Sequence, residues 1–222
     1  MGNLLYLYVH GPTHFFTIIL AFAKIIPMQT LNDIKLYAEK NSIPIMKDGG
    51  IEFICNYIRE HNIKKILEIG TAIGFSAIEF AQVAPDITVT TIELDIDRHI
   101  KAKQNIHDSG LDGRINAILG DALKLELDDS FDMIFIDAAK GQYINFFQKY
   151  KANLAPAGVF ISDNLSFHGM VDDLTLTHNY STIKLVKKIR KYIDFLKQNT
   201  DFSTEFFDFG DGISVSIRKS VL

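Results

Sequence analysis

Residues 64–76, Lys-Lys-Ile-Leu-Glu-Ile-Gly-Thr-Ala-Ile-Gly-Phe-Ser, restrict the chain more than any other stretch. The apolar run Ile66-Leu67-Glu68-Ile69 stops at Gly70, and a second glycine follows at Gly74. From Phe75 to Ala84 the apolar residues recur at helical spacing: Phe75, Ala77, Ile78, Ala81 and Ala84. The pattern predicts a strand, a tight turn and a helix. In a parallel sheet such a turn lies at the carboxyl edge and aims backbone N–H groups and a helix N-terminus at a ligand. The spacing Gly70-x-x-x-Gly74 is neither the G-x-G-x-x-G of dinucleotide-binding turns nor a P-loop, which needs Lys-Ser/Thr. Taken alone, it is equally a plain structural turn. Glu93, near the end of the next apolar strand (Ile87 to Leu94), offers an acceptor pair for the two hydroxyls of a ribose. The combination suits a nucleoside carrying an amino acid better than a pyrophosphate.

The remaining pattern alternates strand and helix. Helices are expected over Thr30 to Lys40, over Ile51 to Glu60 with Asp48 as its cap, and over Ile96 to His107. Further strands are expected at Ile115 to Leu119, Phe131 to Asp137 and Gly158 to Ser162, with helices at Tyr143 to Leu154 and Ser181 to Gln198. Two alternating strands, Glu205 to Phe209 and Ile213 to Ile217, are joined through Gly210-Asp211-Gly212, a hairpin signal. The expected architecture is α/β: a seven-stranded, mostly parallel sheet that ends in an antiparallel hairpin, with helices on both faces. At 222 residues and 47% hydrophobic content, one such domain accounts for the chain.

Residues 1–27 stand apart, because no Lys, Arg, Asp or Glu occurs from Met1 to Ala23 and Phe15 to Ala23 is nearly all apolar. Ala21-Phe22-Ala23 resembles a cleavage site, but the basic segment of a signal peptide is missing. Gly11-Pro12 and His14 interrupt a would-be membrane span. The segment is therefore expected to be a helix packed on the domain or on a partner subunit, or an extension ahead of a start at Met28, with the domain at 28–222 and no stable membrane association. A lone cysteine, Cys55, excludes a disulfide framework and points to a reducing cytoplasm. The formal charge of −4 gives no global attraction to nucleic acid, although a local basic face could supply it.

Two predicted strands deliver oxygen ligands. Met133-Ile134-Phe135-Ile136 ends in Asp137, and Val159-Phe160-Ile161-Ser162 ends in Asp163 and Asn164. On a parallel sheet both ends open onto the edge that carries Gly70 and Glu93. Two carboxylates and an amide oxygen make a set suited to Mg²⁺ or a similar hard cation, although each Asp separately reads as a helix cap. Lys140, three residues beyond Asp137, is either a solvated lysine or a base. A lysine amine, with an ordinary pKa of about 10.4, works as a base only where burial or a neighbouring cation lowers that value.

At these residues a resemblance becomes specific. Glu68-Ile-Gly70-Thr-Ala-Ile-Gly74-Phe-Ser76, Phe131-Asp-Met-Ile-Phe-Ile-Asp137-Ala-Ala-Lys140 and Asp163-Asn164-Leu-Ser-Phe-His-Gly169 resemble the metal-dependent class I O-methyltransferases, which include the catechol and caffeoyl-CoA enzymes. Ile43-Pro-Ile-Met46-Lys-Asp-Gly-Gly-Ile51 further resembles the bacterial branch that methylates 5-hydroxyuridine in the tRNA anticodon to 5-methoxyuridine. The resemblance implies a Rossmann-like methyltransferase fold and S-adenosylmethionine as methyl donor. It implies that Gly70 and its turn pass the methionine part with Ser76 near the carboxylate, and that Glu68, Thr71 and Gly74 complete that stretch. It implies Glu93 on the ribose, Asp121 and Ala122 beside the adenine, and Met46 approaching from the N-terminal side. Asp137, Asp163 and Asn164 match the family's metal ligands, Asp137 also serving cofactor and catalysis, and Lys140 matches its general base. Ala138-Ala139 stand where some relatives carry bulkier aromatic groups, which argues against a small-phenol pocket.

For the acceptor, the predicted helix through Ile183 to Tyr192 carries Lys184, Lys187, Lys188, Arg190 and Lys191 between its apolar positions. This is either a solvated amphipathic face or a strip that follows the phosphates of tRNA. Phe167 and His168 could stack on a base or simply pack. The alternatives are methylation of a small catechol-like or caffeoyl-CoA-like phenol, a nucleotide-dependent oxidoreductase, and a non-catalytic binding module. The apolar N-terminus and the resemblance together imply a homodimer.

Overall fold

The computed structural model describes residues 30–219. The helix or extension expected within 1–27 lies outside them. Among the described residues six α-helices and seven strands follow one another as α1 (Leu31–Lys40), α2 (Asp48–Glu60), β1 (Lys65–Ile69), α3 (Phe75–Gln82), β2 (Thr88–Glu93), α4 (Ile96–Asp108), β3 (Ile115–Leu119), β4 (Phe131–Ile136), α5 (Tyr143–Tyr150), β5 (Leu154–Ser162), α6 (Tyr180–Lys197), β6 (Phe202–Phe207) and β7 (Ile213–Arg218). The sheet order is β3-β2-β1-β4-β5-β7-β6. The first five strands pair in parallel, and β7 is antiparallel to both β5 and β6. This is the mostly parallel sheet with a terminal hairpin that the pattern predicts.

Register places the functional residues. Ile69 pairs with Ile92 and with Ile136, and Ile136 pairs with Ser162. The next residues along, Gly70, Glu93, Asp137 and Asp163, therefore leave the sheet in one row at its carboxyl edge. The row straddles the β1/β4 junction, where the strand order reverses and a crevice opens.

Alternation along the strands feeds two cores. Ile66, Met133, Phe135 and Ile161 pack with Ile34, Ile54, Phe75, Ile78 and Phe80, the residues of α1, α2 and α3. Leu67, Ile69, Ile134, Ile136 and Phe160 face the other way, onto Tyr143, Phe147, Tyr150, Ile189, Tyr192 and Phe202. Aromatic contacts close both layers: Phe80 meets Phe135 edge-on at 5.3 Å, and Phe147 stacks on Phe160 at 4.1 Å.

Several boundaries differ from expectation. The second helix begins at Asp48 rather than Ile51, with Lys47 at the cap position and no side-chain cap bond. Asp48 is thus not the cap; its carboxylate takes Lys35 Nζ at 2.6 Å. The fifth helix ends at Tyr150, and a 3-10 turn at Lys151–Asn153 leads into a fifth strand that starts at Leu154. The sixth strand is Phe202–Phe207 instead of Glu205 to Phe209, because the buried Phe202 anchors it against Phe147 and Phe160. Phe209 leaves the ladder to stack on Phe53 at 4.8 Å. Among the described residues no helix is long and apolar enough to cross a membrane.

Candidate active site

A cleft of about 720 Å³ opens at the carboxyl edge. Its lining includes Met46, Gly70, Thr71, Ser76, Glu93, Asp121, Ala122, Asp137, Lys140, Asp163 and Asn164. Two residues of the expected set, Glu68 and Gly74, are not in it.

The glycine turn forms one wall. Gly70 has φ +103°, and a Cβ there would fall 2.1 Å from the backbone oxygen of Asp137, so only glycine lets the two strand ends approach so closely. The turn is held from behind by Asn105 of α4, whose buried Nδ2 donates to the Ile73 carbonyl at 2.8 Å. Gly74, with φ +84°, caps α3 and faces Ala102 of α4 rather than the cleft. Glu93 is 7% exposed and accepts the backbone N–H groups of Ala72 at 2.8 Å, Leu94 at 3.0 Å and Asp95 at 2.9 Å. These bonds fix the carboxylate at the cleft, where a sugar diol would meet it.

Glu68 stands one layer deeper than expected. It is fully buried, and the hydroxyls of Ser76 and Thr91 donate to its two oxygens, with Thr71 hydrogen-bonded in turn to Thr91. Burial, with smaller repulsion from Asp137 and Glu93, pushes its carboxyl up to about 8, which favours the protonated form. The hydroxyl bonds tie β1 to the glycine turn and α3, and they place the carboxyl behind the cleft lining. At the far end of the cleft Asp121 is half-buried and accepts Leu123 N–H at 2.9 Å, while Ala122 is buried beside it. Met46 is buried and closes the side nearest α2.

Opposite the turn, Asn164 Nδ2 donates to Asp137 Oδ1 at 3.0 Å and to Asp163 Oδ2 at 2.8 Å, so the three side chains expected to share a cation do meet. Asp163 is 3% exposed, and its second oxygen, Oδ1, is buried without a partner. A buried acceptor left unmade costs free energy, and a cation would satisfy it. Desolvation, reinforced by the Asp137 charge, pushes Asp163 up to about 7; desolvation also raises Asp137, against the pull of Lys140. Two crowded carboxylates of this kind favour a proton or a cation between them. A half-turn of the Asn164 amide presents its oxygen in place of its N–H₂ and completes an all-oxygen donor set. The residues therefore fit a hard divalent ion. Among the described residues no cluster of three His, Cys, Asp or Glu side chains could hold one, which leaves this Asp-Asp-Asn set as the candidate.

Lys140 opens a 3-10 turn, Lys140–Gln142, at the cleft mouth. It is partly buried, and its amine lies 5.6 Å from the centroid of the Phe167 ring. Sequence reasoning missed Asp211, which read only as a turn residue. It is 7% exposed, lines the cleft and accepts His168 N–H at 2.7 Å, with Lys47 Nζ at 3.5 Å. A carboxylate between two glycines at the tip of an apolar hairpin was the available signal.

The proposed basic strip changes in one member. Lys184, Lys187, Lys188 and Lys191 are exposed along α6, but Arg190 is not part of it: its guanidinium donates to Val171 O at 2.7 Å and ties the helix to the loop after Asn164. Phe167 is partly buried against the second core, whereas His168 is exposed at the cleft.

The O-methyltransferase family profile matches residues 26–219. The catechol O-methyltransferase of Niastella koreensis is 33% identical over 144 residues, which is 62% of this chain and 63% of that protein, so the chain spans under two thirds of that relative. A Staphylococcus aureus structure assigned to the caffeoyl-CoA O-methyltransferases superposes with a TM-score of 0.82 at 36% identity, covering 86% of this chain and 93% of that one. The O-methyltransferase from Bacillus cereus, solved in complex with SAH, gives a TM-score of 0.74 at 25% identity over 88% and 94% of the two chains. With the profile running across all of the described residues and the cleft built from its strand ends, the chain belongs to the O-methyltransferase family.

Proposed function

We propose that the protein transfers a methyl group from S-adenosylmethionine to a hydroxyl oxygen in a Mg²⁺-dependent reaction. The observation that carries this reading is the meeting of Asp137, Asp163 and Asn164, with one Asp163 oxygen left unpartnered, in the same cleft as Gly70, Glu93 and Lys140. The Bacillus cereus neighbour binds SAH, the demethylated product of that donor. In this reading Gly70, Thr71 and Ser76 hold the methionine end, Glu93 takes the ribose hydroxyls, and Asp121, Ala122 and Met46 enclose the base and sulfonium. Asp137, Asp163 and Asn164 hold the cation. When bound, that ion supplies a Lewis acid that stabilises the acceptor oxygen as it loses its proton. Lys140, in its neutral form, accepts the proton at Nζ, beside the Phe167 ring. The acceptor oxygen then displaces the sulfur in line, with positioning providing much of the acceleration.

For the acceptor we favour the 5-hydroxyuridine of the tRNA wobble position. Four exposed lysines on α6 support it, since the helix has no acidic residue between Tyr180 and Ile193 and packs against the turn that carries Lys140. Exposed Tyr180, with Lys184 Nζ 4.4 Å from its ring centroid, adds a surface on which a base can stack. A small phenol is the second reading, favoured by the catechol O-methyltransferase of Niastella koreensis. Thermal shift with S-adenosylmethionine or NAD, with and without Mg²⁺, separates the methyltransferase from an oxidoreductase or a passive module. Methyl transfer to tRNA from cells lacking this gene, set beside transfer to catechol, decides the acceptor. Equal turnover with and without a chelator would remove the metal from the scheme.

A further inference from the structure

The loop that follows Asp163 holds a conformation that its own sequence does not favour. Asn164 has φ +66°, and Phe167, His168 and Gly169 follow with φ +46°, +57° and +78°. Three of the four carry a Cβ that disfavours the left-handed region, so something outside the loop must hold it. The hairpin turn between β6 and β7 does so. Gly212 O accepts Leu165 N–H at 2.9 Å, Asp211 O accepts Ser166 N–H at 2.8 Å, and the Asp211 carboxylate accepts His168 N–H at 2.7 Å. Gly212, at φ +86°, permits the approach, since a Cβ there would lie 2.6 Å from Ser166 N.

The hairpin turn itself needs no carboxylate. It closes through backbone, with Gly212 N–H donating to Phe209 O at 2.9 Å. The Asp211 side chain instead turns inward, 7% exposed, to the cleft and to the loop. What the loop carries lies on the acceptor side: Asn164, bonded to both carboxylates, and Phe167, whose ring faces the Lys140 amine at 5.6 Å.

We propose that Asp211 is a positioning residue for the reaction: by holding His168 N–H it keeps Phe167 against Lys140 and Asn164 facing Asp137 and Asp163. It acts through the loop and takes no proton and no ligand itself. The inference rests on the methyl-transfer reading above for its effect on turnover, but not for its effect on the loop.

The test compares Asp211→Ala with Asp211→Asn, whose amide oxygen still accepts the His168 N–H. Asp211→Ala is expected to lower kcat at least tenfold on whichever acceptor the wild type uses, with the calorimetric Kd for S-adenosylhomocysteine within twofold. Asp211→Asn is expected to recover kcat to within about threefold. Wild-type kcat in Asp211→Ala, or equal losses in the two variants, would overturn the proposal. Amide hydrogen exchange decides it without turnover and without a variant: the His168 N–H is expected to exchange slowly in the wild-type protein although its side chain is exposed. Fast exchange at His168 overturns the proposal. Failure of the wild type to bind S-adenosylmethionine, or to methylate any of tRNA, catechol and caffeoyl-CoA, overturns the methyl-transfer reading instead.

Discussion

Replacing Glu68 with glutamine is expected to stabilise the protein, and to do so more as pH rises. The carboxyl is fully buried between Ser76 and Thr91 and is pushed up to about 8 by burial, against an ordinary 4.5. An acid whose value is raised on folding prefers its protonated form in the native state. Its contribution is therefore harmless below about pH 4.5 and costs about 1.4 kcal/mol for each further pH step until about pH 8. The accumulated penalty is about 3 kcal/mol at pH 7 and about 5 kcal/mol above pH 8, both upper bounds from the same linkage. Glutamine keeps a donor and an acceptor for the two hydroxyls but has nothing to ionise. Thermal melts of both proteins at pH 5 and pH 8.5 read the difference directly. The two should melt within about 3 °C of each other at pH 5, and Glu68→Gln should melt on the order of 10 °C higher at pH 8.5, at about 2–4 °C per kcal/mol for a domain of this size. Asp137 and Asp163 also titrate, but they do so in both proteins and largely cancel from the comparison. A gap that does not grow with pH, or a variant that melts lower at pH 8.5, would show that Glu68 is ionised and held by its hydroxyl donors, and the reasoning would fail.

Other expectations concern the cleft and the surface beside it. Asp163→Asn, which removes a buried carboxylate raised to about 7, should melt higher than wild type at pH 8 without metal yet lose the upward shift that Mg²⁺ or Mn²⁺ gives the wild type; a retained shift would place the ion elsewhere. Lys140→Met should lower kcat by about 10²-fold or more while leaving calorimetric binding of S-adenosylhomocysteine intact, the size typical for loss of a general base. Lys187→Glu with Lys191→Glu should weaken tRNA binding and flatten its dependence on salt, by about 0.7 in the log–log slope for each phosphate that is no longer neutralised, with catechol turnover unchanged. A slope equal to that of the wild type would leave those lysines as a solvated face.

Much of the fold was legible because its signals are local. Apolar runs that stop at Gly70, Glu93, Asp137 and Asp163 mark strand ends, and once the strands are parallel their register brings those four residues to one edge with no further information. Most of the residues that line the cleft followed for the same reason. What failed was decided by partners distant in sequence. Asp48 has the chemistry of a cap, but Lys35 claims its carboxylate and the helix starts earlier through Gly49-Gly50. Phe209 alternates as a strand residue should, yet Phe53 draws it out of the ladder.

The same division explains the misplacement of Glu68 and the omission of Asp211. Both are acids near glycine turns, and residue type alone gives such an acid to the ligand. Pairing places Glu68 opposite Thr91 in the β1–β2 register and eight residues before Ser76, so its two oxygens meet two hydroxyls inside the protein. For Asp211 the reverse holds, because its hairpin closes through backbone and leaves the carboxylate free to act across 43 residues of sequence on His168. The β5–β7 pairing settles that contact, since Ser162 lies opposite Ser214 and the chain on either side of that pair runs on into Asp163 and back into Asp211. An antiparallel hairpin added to a parallel sheet thus brings Asp211 to the carboxyl edge beside the loop after Asp163, where the proposed positioning role would give the seventh strand a part in the site.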